Sequence, residues 1–464
     1  MIKRLPVLGG LLLLTTAAFA ERWVLRDVIP VTSPELPSPA DIVVVDGIIA
    51  AIVAAGEAEE QAGDRVLGLA DRFVLPGLFD MHVHLEHFDD PVVLDQFLAA
   101  GITTVRSMNG GEQVLAWRNA IARGERLGPR ILVATPIIEG RQSYWPGSER
   151  VGTARDARRL LERLEPGDFD FLKIYHTLER STFRALVKGA GDAALPVIGH
   201  VPASVDLSEA ASRMASIEHL HGFGRTLIRR QSARSLPGFV VHLVGGPLDE
   251  RAVDRTVRAL AASGTALTPT LVQIEQVAPP AVIAARLAAA DPASVPASVR
   301  DRWDPDSWRP GTRELIARVP PDGWDWWHLA RENRQELVRR MAAAGIPILA
   351  GSDTPAPFIA PGEGLHDELA ALEAAGLERR AVIAAATTAP GAFLDAHLAA
   401  AKPSGRLEVG ARADLLILKA DPTATLGALR RIHGLLLAGR WLDAEALQRG
   451  SASARETHAQ SSPP

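Results

Sequence analysis

Short apolar runs alternate with helical stretches through most of the chain, from Pro76 to about residue 395. This alternation predicts parallel strands, because parallel neighbours need a crossover connection that is usually a helix. Eight such runs are present, and eight is the number that closes a barrel. The pattern therefore predicts an α/β fold with a (β/α)8 TIM barrel over residues 76–395. The candidate strands are Leu78–His82, Thr103–Arg106, Ile131–Thr135, Phe171–Tyr175, Val197–His200, Ser216–His219, Ala266–Thr270 and Ile346–Ala350.

Both ends of the chain carry short apolar segments that are divided by glycine, aspartate and proline, a pattern typical of β-structure. We expect the two ends to form one small β-sandwich domain from residues 21–75 and 396–445. The Ser- and Ala-containing tail over residues 446–464 is predicted to be disordered. The candidate strands are Ile42–Val45, Ile48–Val53, a segment ending at Val74-Leu75, Asp414–Lys419, Ile432–Leu437 and Trp441-Leu442.

One connection in the barrel region is unusually long. About seventy residues separate Leu271 from Ile346, whereas a whole strand–helix unit needs roughly 30. We assign residues 273–335 to an insertion, and long insertions after barrel strands are often functional. Two hypotheses remain open, a lid over the substrate and a satellite core that uses tryptophan as filler. The insertion contains Trp303, Trp308, Trp324, Trp326 and Trp327.

Composition and charge exclude several classes of function. The 464 residues include no cysteine, which rules out disulfides, thiolate metal sites and a cysteine nucleophile. A metal ion would therefore need histidine or carboxylate ligands. The 50 basic and 55 acidic side chains give a net charge of −5 without a basic stripe, so we predict no nucleic-acid partner. A small-molecule or peptide substrate fits this composition better.

The N-terminus has the features of a cleaved secretory signal over residues 1–20. Lys3 and Arg4 precede an apolar run, Leu5–Ala18, and the segment closes on Ala18-Phe19-Ala20. A membrane anchor is the alternative, but the run is shorter than the ~20 residues that a span requires. We therefore predict an exported protein, periplasmic or secreted, with no stable membrane span after cleavage.

Candidate metal ligands lie at the ends of the predicted strands. His82 and His84 are two residues apart, so both side chains can point to the same side of the first strand. Lys173 lies in an apolar strand, where an unpaired ammonium group would be unfavourable. Each residue alone could be structural, but their common position at one end of the barrel favours a metal centre. The other candidates are His200, His219 and Asp353.

These residues resemble the metal-dependent amidohydrolase superfamily, and within it the branch of imidazolonepropionase-like enzymes and Xaa-Pro dipeptidases. The resemblance implies the barrel fold and a binuclear centre in which a carboxylated lysine bridges two divalent ions. It extends beyond the candidate ligands to Asp46–Ala50, Gly101–Arg106, Thr268–Leu271, Gly364–Leu369, Gly405–Leu407 and Ala413–Leu415.

The resemblance also implies a role for each ligand. His82, His84 and Asp353 would hold the more buried ion, and His200 and His219 the more exposed one. Lys173, as a CO2-derived carbamate, would bridge both ions together with the hydroxide that attacks the substrate. Zinc is the default metal. Asp353 would also move the proton from the nucleophile to the leaving amine.

Some residues leave alternatives open. His221 follows His219 by two positions, so the ligand on the sixth strand could be either one. Tyr175, His221 and Arg225 are candidate substrate contacts, although a tyrosine in a barrel strand often only packs and a loop arginine is often only solvated. We expect Asp80 to orient a ligand histidine.

The sequence thus predicts an exported binuclear amidohydrolase that cleaves a C–N bond of a dipeptide, an N-acyl amino acid or a similar small amide with a carboxylate. The alternative enzymes are a cyclic amidase, such as an imidazolonepropionase-like ring opener, and a lactonase or esterase. The alternative outside catalysis is a silent metal-binding periplasmic protein. A homo-oligomer is a candidate assembly.

Overall fold

The computed structural model describes residues 21–31, 35–145, 147–304, 314, 316, 319–320, 323–398 and 402–460. The fold is mixed α/β, with parallel sheets as predicted. Its strands are β1 (Arg22–Pro30), β2 (Ala40–Val45), β3 (Ile48–Ala54), β4 (Arg65–Pro76), β5 (Leu78–Val83), β6 (Ile102–Ser107), β7 (Arg130–Val133), β8 (Ile138–Glu139), β9 (Glu149–Arg150), β10 (Leu172–Ile174), β11 (Val197–Gly199), β12 (Ser216–Glu218), β13 (Ala266–Thr268), β14 (Leu415–Leu418), β15 (Ile432–Leu437) and β16 (Arg440–Asp443).

The α-helices of the described residues cover the connections between the parallel strands and the C-terminal end. They are α1 (Val93–Ala99), α2 (Glu112–Ala122), α3 (Ala154–Arg163), α4 (Arg180–Asp192), α5 (Leu207–Ala211), α6 (Phe223–Leu227), α7 (Arg230–Ser235), α8 (Gly238–His242), α9 (Glu250–Ser263), α10 (Pro280–Ala289), α11 (Ala297–Arg300), α12 (Asp325–Ala343), α13 (Glu363–Ala374), α14 (Arg379–Ala385), α15 (Thr388–His397) and α16 (Ala444–Gln460).

Both chain ends contribute to one seven-stranded sheet, in the order β16-β15-β14-β4-β1-β2-β3. The hairpin of β2 and β3 turns at Asp46 and Gly47, whose φ angles of 49° and 72° suit a tight turn between twisted strands. The expected meeting of the two ends in one β-unit is therefore observed. The sandwich arrangement of that unit stays a prediction.

Strand β1 was not among the predicted strands, and its irregular centre explains why. The register against both neighbours shifts between its first and second halves, and Asp27 within it has a φ of 59°. This bulge interrupts the alternation of apolar and polar residues on which the prediction of a strand depends.

The strands between the two chain ends pair in parallel, in the orders β5-β6-β7 and β13-β12-β11-β10-β8-β9. The first seven predicted strands of this region are confirmed, while β8 and β9 are short additions that the sequence did not reveal. The eighth candidate, Ile346–Ala350, forms a single parallel bridge from Ile348 to Leu267. All of these strands run in the same sense, so their carboxyl ends meet at one edge.

The predicted disordered tail is wrong over residues 446–460, because they belong to helix α16. Leu447, Ala454 and His458 are buried and lie on one side of this helix, which packs against α1. A Cβ atom at Gly450 would lie 3.3 Å from the Cβ of Asp95, so small residues let the two helices approach. The composition resembled that of a disordered tail, but it serves close helix packing. Residues 461–464 lie outside the described residues.

The described tryptophans of the insertion are mostly buried. Trp303, Trp324 and Trp327 are 2–5% exposed. Trp324 and Trp327 belong to a separate apolar cluster with Ile274 and Ile283, and the Trp327 Nε1–H donates to the carbonyl oxygen of Ile274 at 3.3 Å. This packing favours the hypothesis of a satellite core for these tryptophans. Trp308 lies outside the described residues.

Residues 1–20, where we predict the signal peptide, also lie outside the described part of the chain. Among the helices of the described ranges, none has the length and apolar character of a membrane span.

Candidate active site

The candidate ligands of the buried ion meet at one carboxylate oxygen. His82 lies in β5 and His84 follows that strand, while Asp353 follows the bridge at Ile348. The Nε2 atoms of His82 and His84 lie 3.4 and 3.3 Å from the Oδ1 atom of Asp353. The structure therefore brings together these three residues, as the sequence predicted.

The His82 ring is fixed from behind by a buried acidic residue. Its Nδ1 atom lies 2.8 Å from Oε2 of Glu218, the last residue of β12. Glu218 in turn accepts hydrogen bonds from Arg106 at 3.0 and 3.2 Å and from the Ser216 hydroxyl. Burial alone would raise the pKa of Glu218, but Arg106 and His82 hold it well below its usual range. Glu218 is therefore ionised and binds Nδ1 of His82, so Nε2 of the same ring faces Asp353.

His84 has a similar support on the outer side of the site. Its Nδ1 atom lies 2.7 Å from Oε1 of Glu86. Burial would lower the pKa of His84, but the carboxylates of Glu86 and Asp353 raise it to about 10. A positive charge at this position is therefore strongly favoured.

Asp353 is held in an unusual backbone conformation by its neighbours. Its φ angle is 64°, and its Oδ2 atom accepts a hydrogen bond of 2.7 Å from the side-chain amide of Gln273. Burial would raise the pKa of Asp353, but His219, His84 and His82 lower it far below its usual value. A non-glycine residue at positive φ is a strained position of the kind that clusters at functional sites.

His219 lies beside His82, with ring centroids 4.4 Å apart. It also has a positive φ of 59°, and its Nδ1 atom lies 2.6 Å from the hydroxyl of Thr270. One ring nitrogen each from His82 and His219 and one oxygen of Asp353 lie within 4.8 Å of one another, close enough to hold a metal ion.

Lys173 is 1% exposed and lies among these groups. Its charge lowers the pKa values of His82, His200 and His219, for which burial is the larger cause. Burial also lowers the pKa of Lys173 itself to about 8. Gly199, at a φ of 125°, makes room for this strand, because a Cβ there would lie 2.2 Å from the carbonyl oxygen of Ile174.

His200 lies between two groups of histidines. Its ring centroid is 5.0 Å from that of His219 and 4.4 Å from that of His221. His176, His200 and His221 form a second group whose ligand atoms lie within 4.8 Å of one another. His219 thus joins His82 and Asp353, whereas His221 joins His200 and His176.

The candidate substrate contacts line one cavity of about 380 Å³ beside His200. Tyr175, His221 and Arg225 all lie on its wall, together with Tyr144 and Phe239. The Tyr175 ring stacks on His200 with centroids 4.1 Å apart, and burial raises the pKa of its hydroxyl. This cavity offers aromatic surface and one guanidinium group next to the histidines.

Asp80 contacts the candidate ligand His82 through the backbone amide of that residue, not through its ring. Its carboxylate accepts hydrogen bonds from the Ser352 amide at 2.9 Å and the Ser352 hydroxyl at 2.6 Å, and from the backbone amide of His82 at 3.3 Å. Burial raises the pKa of Asp80 to about 7. Asp80 therefore holds the backbone beside Asp353, whereas Glu218 and Glu86 contact the ligand histidine rings.

Three supports of the site are not among the residues that the sequence predicts: Glu218, Arg106 and Gln273. Arg106 is fully buried and also donates to Thr268 and to the carbonyl oxygen of Met81. The signal that could have found Glu218 and Arg106 is the presence of a charged residue inside an apolar strand, where it needs a partner. Gln273 carries no such signal.

Comparison with known proteins places this site in a family. Residues 73–442 match the model of the Amidohydrolase family. A comparison with curated proteins gives no match.

Similar solved structures include bottromycin amidohydrolase, with 26% identity, a TM-score of 0.73 and coverage of 94% of this chain and 90% of that one. A Bifidobacterium longum protein assigned as a prolidase has 21% identity, a TM-score of 0.65 and coverage of 93% and 99%. A Xaa-Pro dipeptidase with methionine bound in its active site has 19% identity, a TM-score of 0.64 and coverage of 91% and 100%. The chain belongs to the amidohydrolase family, and it is a metal-dependent hydrolase that acts on carbon–nitrogen bonds.

Proposed function

We propose that this protein hydrolyses the amide bond of a dipeptide, an N-acyl amino acid or a similar small amide with a carboxylate, at a binuclear metal centre. One observation carries the proposal. The Nε2 atoms of His82 and His84 converge on Asp353. His200, whose ring centroid lies 5.0 Å from that of His219, connects this group to a cavity that is lined by Tyr175 and Arg225. The site thus combines metal-ligating side chains with a place for a small anionic substrate.

The framework of the site is proposed to be a closed eight-stranded barrel. Backbone hydrogen bonds join β7 to β10, from the Thr135 amide to the carbonyl oxygen of Phe171 at 2.8 Å. The segment at Ile346–Ala350 bonds on both of its sides, from the Leu349 amide to Leu267 at 2.8 Å and from the Met81 amide to Ala350 at 2.9 Å. These links support a ring, whose carboxyl-end edge carries the ligands.

The residues of the site fit divalent ions. The Nε2 atom of His82 and the Nδ1 atom of His200 are buried without a hydrogen-bond partner among the described residues. Bound cations would also take the place of the positive charge that the carboxylates favour at His84. His82, His84 and Asp353 would hold one ion and His200 and His219 the other, with zinc as the default metal for these ligands.

Lys173 would bridge the two ions as a carbamate. Carboxylation by CO2 requires the neutral amine, and a pKa of about 8 makes that form far more abundant than in an exposed lysine. The carbamate would replace a buried cation by an anion that two metals stabilise.

When bound, two cations lower the pKa of water and polarise the scissile carbonyl group. The chain's own contribution centres on Asp353. Its depressed pKa keeps it ionised, which is the form that can accept a proton from the attacking water. Gln273 holds Oδ2, so Oδ1 is the oxygen that faces the site. Asp353 would then pass this proton to the nitrogen of the leaving amine.

The cavity supports a substrate with a carboxylate. Arg225 can pair with the carboxylate, and Tyr175 and Phe239 offer surface for an apolar side chain. The similar Xaa-Pro dipeptidase holds methionine, a free amino acid with such a carboxylate.

We further propose that the protein is exported, because residues 1–20 carry the features of a secretory signal. Identifying the N-terminal residue of the protein isolated from its native host tests this proposal. A mature protein is expected to begin at Glu21.

The function is tested by assaying metal-loaded protein against matched pairs of substrates. Each N-acyl amino acid is paired with its carboxamide analogue, and the panel adds dipeptides, a cyclic amide and a lactone. We expect kcat/KM to be highest for amides with a free carboxylate and to fall when the carboxylate is neutralised. Preference for the cyclic amide or the lactone would support the alternative enzymes. Tight metal binding without turnover of any substrate would support the silent protein.

Metal analysis of wild type and Lys173→Ala tests the centre. We expect two ions per wild-type chain, loss of the bridged pair in the variant, and partial rescue by short-chain carboxylic acids. Full activity with a single ion would contradict the binuclear centre, and a normal variant would contradict the carbamate.

A further inference from the structure

Two histidines on the cavity side of the site are not used by the proposed centre, and they lie beside its ligand His200. His176 and His221 belong to neither proposed ion, yet they group with His200, and one ligand atom of each lies within 4.8 Å of the others. His200 and His221 are only 6% and 3% exposed. None of the three Nδ1 atoms has a hydrogen-bond partner among the described residues. Buried polar atoms without a partner are rare in proteins, which points to an absent ligand.

We propose that His176, His200 and His221 form a further divalent-cation site, which fills when zinc exceeds the need of the proposed centre and which then inhibits hydrolysis. Three neutral imidazoles with water in the fourth position are a ligand set that zinc uses in proteins. The cavity beside these residues, about 380 Å³, has room for that water. The site is distinct from the proposed centre in two of its three ligands.

The geometry makes this site weaker than the proposed centre. Nitrogens about 2.0–2.1 Å from a tetrahedral zinc ion lie ~3.4 Å apart, so a spread of up to 4.8 Å must contract by up to ~1.4 Å. The three ring planes are within 19–24° of parallel, so at least one ring must turn to share an ion with the others. By contrast, His82, His84 and His219 are already held by partners at Nδ1.

Inhibition follows from the position of His200. It is the member that the further site would share with the proposed centre, and the cavity is the space that the substrate would occupy. A cation on these three histidines would draw His200 away from the proposed centre. It would also occupy part of the cavity in which the substrate would bind. Excess zinc should therefore have two effects at once: it should compete with the substrate, and it should slow turnover.

The test counts zinc bound by equilibrium dialysis at rising free zinc, with activity measured in the same samples. His176→Phe and His221→Phe keep an aromatic ring in place but remove the nitrogens. His242→Phe is the matched control. The ring centroids of His242 and His221 are 4.3 Å apart, but His242 lies outside the three-ligand group. The count is a difference between variants, so it holds whatever number of ions the proposed centre binds.

We expect wild type and His242→Phe to bind one more equivalent than His176→Phe and His221→Phe. With each protein's activity normalised to its value at low zinc, half-inhibition of wild type and His242→Phe should need at least ~10-fold less zinc than half-inhibition of His176→Phe and His221→Phe. Even outer partners of metal ligands change metal affinity by about 10–100-fold. Equal stoichiometry and equal inhibition in all four proteins would overturn the proposal. Equal loss in His242→Phe would also overturn it, because that would assign the effect to ring packing.

Discussion

The two sides of the histidine cluster are built differently. On the Asp353 side, every candidate ligand ring has a partner at Nδ1, Glu218 for His82, Glu86 for His84 and Thr270 for His219, at 2.6–2.8 Å. On the cavity side, no Nδ1 atom of the three histidines His176, His200 and His221 has a partner within the described ranges.

This difference separates fixed ligands from adaptable ones. A metal-ligating histidine usually bonds through its other ring nitrogen to a carboxylate or a similar group, which fixes its tautomer and orientation. The Asp353 side has this arrangement, so the chain's own side chains set the orientations of its rings. On the cavity side the rings of His176, His200 and His221 stack on one another, and their Nδ1 atoms have no such partner among the described residues, which suits a surface that must admit different ligands. Substitutions should therefore have their largest effects on the Asp353 side.

The largest effect is expected for Asp353→Asn, which keeps an oxygen ligand but removes the proton acceptor. We expect kcat to fall by about 10²–10⁴-fold, the range that general acid–base groups contribute. Metal content measured on the same samples serves as the control, because it separates loss of the base from loss of an ion. A fall of less than tenfold with unchanged metal content would show that another group moves the proton.

The next effect is on stability, through the buried Arg106–Glu218 pair. Both side chains are fully buried, so Glu218→Gln would leave Arg106 without its counter-charge. We expect a loss of about 3–5 kcal/mol in the free energy of unfolding, measured by urea denaturation. Glu209→Gln is the control, because Glu209 pairs with the exposed Arg180 and Arg184 and should cost only about 0–1 kcal/mol. Equal losses would mean that the pair does not stabilise the site.

The same variant gives a pH dependence with a defined sign. The pKa of Glu218 is lower in the folded protein than in the unfolded chain. Its stabilisation is therefore complete above the unfolded pKa of about 4.3 and is lost as the pH falls through the folded value. The difference in unfolding free energy between wild type and Glu218→Gln should be constant near neutral pH and should shrink below about pH 4. A difference that grows in acid would contradict this assignment.

A smaller effect is expected for Gln273, a positioning residue that acts through Asp353. Gln273→Leu removes the hydrogen bond to Oδ2, and such bonds to charged groups contribute about 1.5–3 kcal/mol. We expect kcat to fall about 10-fold or more and the acidic limb of its pH profile to move upward, because the lost bond had favoured the carboxylate. A change in KM alone, with the pH profile unmoved, would assign Gln273 to substrate binding.

The same comparison shows what the sequence could predict. Candidate ligands can be predicted because strand ends in a parallel sheet meet at one edge. On this basis six residues are expected together: His82, His84, Lys173, His200, His219 and Asp353. Their partners could not be found from spacing. Glu218 lies 136 positions from His82, and Gln273 lies 80 positions from Asp353. Such pairs depend on how strands and loops pack, which local periodicity does not determine.

The fold shows a similar division. Regular strands were predicted well, whereas β1 was missed because its bulge at Asp27 breaks the alternation. Helix α16 was missed because its burial depends on contact with a helix more than three hundred positions earlier, Val93–Ala99. A composition rich in small polar residues fits disorder in isolation and close packing in context.

The smallest effect is expected where the tryptophan cluster reaches the cavity. Trp326 is partly buried, and its ring meets the cavity residue Phe239 edge-on with centroids 5.2 Å apart. Trp326→Ala should loosen this wall and reduce kcat/KM about 5-fold more for bulky substrates than for small ones. This is the effect of ~40 Å² of lost apolar contact at about 25 cal/mol per Å².

Trp327→Ala is the matched comparison, because Trp327 is 2% exposed within the same cluster. Its loss should cost about 3–5 kcal/mol of stability and lower kcat/KM equally for both classes of substrate. Discrimination by Trp326→Ala alone would show that the cluster shapes the cavity at this one contact. Equal losses for both substrates in both variants would make the whole cluster a satellite core. Strong discrimination in both would instead support a lid, because residues remote from Phe239 would then have to cover the substrate.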